Sequence, residues 1–158
     1  MEGFINMVKI DLNDIDTVKG SNEGFDVSIY HPGTNADLGI IITVLGKDSD
    51  AFQGKSRQQN KKRMAKLTKG GFRAQNLTPA PEEIEADGLA LLAACTKGWK
   101  TLAVKDKEGS IVEPIKDTIL IGGKELPFTE DNAVTLYGRF PWIKEQVDVA
   151  IGDRANFI

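Results

Sequence analysis

The sequence predicts an α+β fold built from an N-terminal β-hairpin, a basic central helix and a C-terminal helical bundle with short strands. Three observations lead there. Residues 25–45 hold two apolar-rich runs around a cluster of turn formers, the pattern of a hairpin. Two later stretches, one opening near Thr78 and one near Thr129, combine helix-start chemistry with apolar residues at helical spacing. The order is a strand pair, two helices, more short strand and two helices, which lacks the strand and helix alternation of a parallel α/β sheet. At 158 residues the chain has the size of one domain.

Taken in order, residues 1–24 mix Asp, Asn, Gly and Ser with scattered apolar residues and read as a loosely ordered segment with at most a short strand near Met7–Ile10. Residues 25–158 read as a single α+β domain. Phe25-Asp-Val-Ser-Ile-Tyr30 alternates apolar and polar side chains, Leu38–Leu45 is a second strand, and His31-Pro-Gly-Thr-Asn-Ala-Asp37 connects them. Asp48 or Ser49 caps the next helix, with Asp50 favourable beside its N-terminal dipole. This basic arm, residues 49–73, has few apolar residues beyond Phe52, Met64, Ala65 and Leu67, and Gly70-Gly71 is expected to stop it near Thr68.

Residues 78–158 read as a mostly helical core. Thr78-Pro79-Ala-Pro81-Glu-Glu carries a cap, prolines suited to a first turn and acids for the dipole. Ile84, Gly88, Leu91 and Cys95 recur at i, i+4, i+7 and i+11, which predicts a core helix ending at Gly98. Trp99–Val104 and Thr118–Ile121 read as strands around an inserted loop, 105–118. Gly122-Gly123 is a turn. Thr129 caps a helix that Gly138 is expected to break, and Pro141 opens a last helix with Ile143, Val147, Ala150 and Ile151 on one face.

Charge is uneven. Ala51–Pro81 holds eight basic residues and no acid, which leaves 12 basic against 23 acidic residues elsewhere, a formal −11 on the rest of a chain whose net charge is −3. The molecule is a basic arm on an acidic body. A single cysteine excludes an intramolecular disulfide and fits a reducing compartment. No apolar run approaches the 18 or so residues that span a bilayer, and the opening MEGFINMVKIDLNDID is acidic where a signal peptide is basic and then apolar. A soluble intracellular protein is expected.

Catalytic constellations are hard to assemble from these residues. The lone histidine, His31, sits in a turn before Pro32, and Cys95 lies on an apolar stripe where burial raises a thiol's pKa. One cysteine and one histidine cannot fill a zinc site. The acids at 82, 83, 85 and 87 and at 130 and 131 suit helix N-termini, and neither Gly-Gly pair has the context of a phosphate loop. The expectation is no enzymatic activity, no metal and no cofactor. The basic arm has two readings: phosphate backbone attracts Lys and Arg, yet single-strand sites interleave aromatics for stacking, and only Phe52 and Phe72 bracket this run. A solvated face or an acidic protein partner ranks above nucleic acid.

The C-terminal half carries a family pattern. It comprises Gly123-Lys-Glu-Leu-Pro-Phe-Thr-Glu-Asp-Asn132, Leu136-Tyr137, Phe140-Pro-Trp-Ile-Lys-Glu-Gln-Val-Asp148 and Gly152-Asp-Arg-Ala-Asn-Phe157. With Cys95-Thr-Lys-Gly-Trp99, Tyr30-His-Pro, Gly39, Gly46-Lys-Asp-Ser49 and the basic helix, residues 25–157 resemble the tail assembly chaperones of tailed bacteriophages. The departure is the long connection from Trp99 to Leu126. The resemblance implies the shorter of two frameshift-related forms, which binds the tape measure protein, keeps it soluble and helps tail tube protein polymerise around it. Such a protein works in the host cytoplasm and is absent from the mature virion. Trp99, Phe128, Phe140 and Trp142 are then candidate anchors for a client, because Trp and Phe dominate interfaces. Lys61, Lys62, Arg63 and Lys66 are candidates to grip its acidic segments, and self-association is open to it. The rival readings are a structural virion component, such as a minor tail or head-tail joining protein, and a nucleic-acid-binding module acting through the arm.

Overall fold

A computed structural model describes residues 9–74 and 80–158. Strands β1 (Phe25–Tyr30) and β2 (Asp37–Val44) form the expected hairpin, and β3 (Thr96–Thr101) adds antiparallel to β2, giving the order β1-β2-β3. The connecting turn closes through a hydrogen bond from the His31 amide to the Ala36 carbonyl, 2.8 Å, with Asn35 at φ 60°, a left-handed conformation that asparagine tolerates. Alternation puts Val27, Ile29, Ile42, Val44 and Trp99 on one buried face. Ile42 sits mid-sheet, opposite Val27 on one side and Trp99 on the other.

Helices cover that face. The long α2 (Asp50–Ala74) is followed by α3 (Pro81–Ala94), α4 (Glu130–Arg139) and α5 (Pro141–Gly152). Helix α3 packs on α4, and α5 lies across β1 and β2. Ala133, Leu136, Tyr137, Ile143, Val147 and Ile151 complete the core. Thr129 caps α4 as expected, accepting from the Asn132 amide at 3.0 Å, and Pro141 opens α5. The cap of α2 is Ser49, whose Oγ accepts from the Phe52 amide.

Several boundaries differ from the sequence reading. Helix α2 continues through Gly70-Gly71 to Ala74: glycine weakens a helix by about 1 kcal/mol relative to alanine but ends one only where the backbone turns left-handed. Thr78 lies outside the described residues, and the N-cap of α3 is Ala80, with no side-chain cap bond. Helix α3 stops at Ala94, four residues before Gly98, because the chain is drawn into pairing with β2, where Thr96 already faces Val44. Gly138 does not break α4, which runs to Arg139 and ends at Phe140, where the following proline disfavours a helical backbone.

One strand pair, the strand after Gly123 and one helix escaped the pattern, whereas the strand at Thr118–Ile121 and the turn at Gly122-Gly123 are as expected. The 105–118 segment is no plain loop: β4 (Val104–Lys105) pairs with β5 (Ile111–Glu113), and Thr101 bridges Lys116. After it, β6 (Thr118–Ile121) turns at Gly122-Gly123, both at positive φ, into β7 (Lys124–Pro127), as a two-residue hairpin loop requires. Within the segment read as loosely ordered, Thr17–Glu23 forms helix α1 after a 3₁₀ turn at Leu12–Ile15. Of the strand considered at Met7–Ile10, Met7 and Val8 lie outside the described residues, and Lys9 and Ile10 are not extended into a sheet. Seven residues cannot hold a helix by propensity alone, so α1 depends on the tertiary bonds around it. The Gly46 amide donates to the Ser21 carbonyl and the Asp50 amide to Asn22. At the far end, Phe157 is buried and its ring meets Phe25 edge to face at 6.0 Å.

Candidate functional site

The eight residues singled out from the sequence fall in three places. Trp99 is interior, 5% exposed. Its indole Nε1 donates to the Leu126 carbonyl at 3.0 Å and its ring meets Phe128 edge to face, 5.0 Å between centroids. That pair fastens the β6-β7 hairpin to the sheet, so the structure assigns Trp99 to packing and corrects its reading as a client anchor. The pull of a large aromatic into a core beside a free hydrogen-bond acceptor accounts for it. Phe140 and Trp142 are half-buried, stacked edge to face at 6.2 Å at the start of α5, with the Arg139 guanidinium 5.5 Å from the Phe140 ring. The structure therefore makes two aromatic pairs of the four.

The basic residues lie on α2, all exposed, and part of their counter-charge is found in the same chain. Arg63 pairs with Asp87 at 3.0 Å and Lys66 with Glu83 at 3.3 Å, while Gln59 donates to the Asp87 carbonyl. The acids expected only to serve the α3 dipole thus also dock the arm. Exposed pairs of this kind contribute up to about 1 kcal/mol each, enough to orient α2 along α3 and too little to clamp it. Lys61 and Lys62 enter no ion pair among the described residues.

Of the stripe Ile84, Gly88, Leu91 and Cys95, Cys95 is buried in the core and Leu91 packs partly against it, but the stretch from Ile84 to Leu91 is open on its other side. It floors an open trough between α2, α3 and α5, about 570 Å³ in volume, walled by Phe52 and rimmed by Glu85, Lys144 and Asp148. The trough continues along α2 past Ser56 and Asn60. Ile84 is 53% exposed, and a side-chain carbon built on Gly88 would meet nothing within 4 Å. Leu92 and Ala93 on the neighbouring side of α3 are buried in the core, with Leu89 packed against it. Helix α3 therefore carries one wide apolar face, covered on one side and open on the other. The width of that face, with Leu92 and Ala94 beside the stripe, is visible in the sequence, but spacing alone assigns all of it to the core.

His31 and Cys95 are each committed to structure. His31 Nδ1 accepts from the amides of Gly33 and Thr34 at 3.0 and 3.1 Å, locking the hairpin turn. Burial pushes the Cys95 thiol up to about 12, far from thiolate chemistry at neutral pH. A second polar hub joins distant parts of the chain. Asp48 accepts from Arg154 Nε and Nη2 at 2.7 and 3.0 Å and from the Thr17 hydroxyl at 2.8 Å. The Arg154 bonds first, then Thr17, hold its carboxyl down at about 2. Inside the core, the Thr96 hydroxyl donates to the Leu92 carbonyl at 2.8 Å and meets the Tyr137 hydroxyl at 2.6 Å.

No family model, curated protein or solved structure matches this chain. Among the described residues no group of three His, Cys, Asp or Glu is placed to hold a metal ion, and no helix is long and apolar enough to cross a membrane. Among the described residues, an open and largely apolar trough lies beside the basic helix.

Proposed function

We propose that this chain is a non-catalytic, polypeptide-holding protein of the tail assembly chaperone type, which binds the tape measure protein and promotes tail tube assembly in the host cytoplasm before leaving the finished particle. The observation that carries the polypeptide-holding part is the open stripe Ile84, Gly88 and Leu91 with Phe52 beside it. Grooves between helices take the apolar face of another helix, and a long helical client needs its apolar faces covered until tube subunits enclose it. The choice of client rests on the resemblance of residues 25–157 to that family.

Co-expression with the long helical protein encoded beside it tests this reading. The soluble fraction of that protein is expected to rise severalfold with the chain present, and no change would overturn the proposal. Mass spectrometry of purified particles separates a chaperone, absent from them, from a structural component such as a minor tail or joining protein.

A further inference from the structure

We infer that the outer edge of β1 is a docking site for one extended segment of another polypeptide, in which apolar residues alternate with cationic ones. The site is separate from the trough, goes beyond the function proposed above and does not rest on it. Hydrogen-bond parity identifies the groups on offer. The Leu102 amide donates to the Gly39 carbonyl, so Gly39, Ile41 and Thr43 turn their backbone groups to β3, while Ile40, Ile42 and Val44 turn theirs to β1. Their partners there are Ile29, Val27 and Phe25, which leaves Asp26, Ser28 and Tyr30 turned outward. Tyr30 shows what this edge accepts. Its amide donates to Gln146 Oε1 at 2.9 Å and its carbonyl accepts from Gln146 Nε2 at 2.9 Å, as they would with a neighbouring strand. The amides and carbonyls of Asp26 and Ser28 have no such partner among the described residues, and β1 is the edge of its sheet. Backbone left open in this way is a template for one more strand.

Side chains select the segment. Trp142, Gln146 and Val149 stand at i, i+4 and i+7 on α5 and share the side of the helix that reaches β1. Trp142 is half-buried and Val149 is 72% exposed. An added strand turns alternate side chains to the layer of Val27 and Ile29, where this apolar flank is the surface they meet. The others point with Asp26 to the opposite face of the sheet. Asp26 is exposed; its carboxylate accepts from the Thr43 hydroxyl and has no ion-pair partner among the described residues. Strand β1 holds no cation, and Glu23, just ahead of it, is a second exposed acid. Lysine or arginine across from Asp26 is therefore favoured and glutamate penalised. A second copy of the chain is the poorer occupant, since its own β1 brings the same two acids and no cation.

Fluorescence anisotropy with labelled synthetic peptides tests this on the full chain. Valine alternates with lysine in one peptide and with glutamate in its twin; a third alternates glycine with lysine. The valine-lysine peptide is expected to bind at least tenfold tighter than either of the others, and to weaken as salt is raised. On binding, the amides of Asp26 and Ser28 should gain at least tenfold protection from hydrogen exchange. Ser28→Pro removes an outward N–H without touching a bond to β2, at the kind of edge position where a strand accepts proline. It should keep a thermal midpoint close to the wild type's and lose at least tenfold in affinity. Asp26→Lys leaves the backbone as it is and should narrow or reverse the preference between the lysine and glutamate twins.

No binding of any peptide, equal binding of the twins, or equal binding of the glycine-lysine peptide overturns the assignment. So does full affinity in Ser28→Pro, or binding that leaves the Asp26 and Ser28 amides unprotected. A dimer of the chain that Ser28→Pro dissociates would give the edge to a second copy instead. Binding that arises only after residues 1–8 are removed would give it to the chain's own segment, and either result overturns the assignment to another polypeptide.

Discussion

Replacing Thr96 by valine should make a second substitution, Tyr137→Phe, change from destabilising to stabilising. The reason is a proton count. The Thr96 hydroxyl has one proton and spends it on the Leu92 carbonyl at 2.8 Å, so the Tyr137 hydroxyl must be the donor in their 2.6 Å contact. Both groups are buried, Tyr137 completely. In Thr96→Val the phenol loses its acceptor and stays unpaired, and with the lost Thr96–Leu92 bond the cost is about 2–3 kcal/mol. Tyr137→Phe alone leaves the Thr96–Leu92 bond intact and costs about 1 kcal/mol. In the double variant both partners are apolar, the orphaned donor is gone, and the total should fall to about 1–1.5 kcal/mol. Tyr137→Phe therefore gains about 1 kcal/mol or more in the Thr96→Val background, a coupling of the kind that double-mutant cycles isolate. Urea unfolding of the four proteins, with the slope held constant, measures it. An equal cost of Tyr137→Phe in both backgrounds would refute the donor assignment.

Gly20→Ala should destabilise by more than about 2 kcal/mol, because its new methyl would overlap the Phe157 carbonyl, 2.6 Å from the carbonyl carbon, whereas Gly54→Ala, with nothing within 4 Å, should gain up to about 1 kcal/mol; thermal melts compare them. Cys95, fully buried with its thiol pushed up to about 12, should resist an aromatic disulfide reagent at pH 8 until the chain unfolds, and modification within seconds would contradict that burial. Asp48→Asn should cost about 1 kcal/mol at pH 7 once the solvent exposure of Arg154 is allowed for. Since the folded carboxyl sits at about 2, below its ordinary 3.8, that contribution is present above about pH 4 and lost as pH falls through 2. The gap between wild type and Asp48→Asn in denaturant midpoint should close over that window.

The hairpin was readable because β1 alternates apolar and polar side chains, β2 is an apolar-rich run and turn formers separate them. Thr129 and Pro141 were readable for a local reason: a cap and a first-turn proline act within four residues of themselves. Where an element owes its state to distant partners the pattern was silent. Helix α1 is seven residues held by bonds from Gly46 and Asp50, and β7 reads Lys-Glu-Leu-Pro, a strand only because β6 lies opposite. The candidate site was half readable. Its apolar stripe was visible, but spacing says that residues share a face and not which neighbour covers it, so Ile84 and Gly88 were given to the core together with Leu91 and Cys95, which do reach it. Trp99 went the other way, since an interface anchor and a core aromatic look alike until Leu126 and Phe128 are in place.

The seam joining α1 to the last turn of the chain bears on when the protein matures. Asp48 and Arg154 are 106 residues apart, and closing a loop of that length costs about 4 kcal/mol in chain entropy before any contact is gained. During synthesis, the bonds from Gly46 and Asp50 are within reach of α1 once those residues emerge, but its packing against Phe157 waits until that residue has cleared the ribosome. Helix α2, built from local bonds, can form much earlier. The nascent polypeptide thus displays its cationic segment before its body has closed.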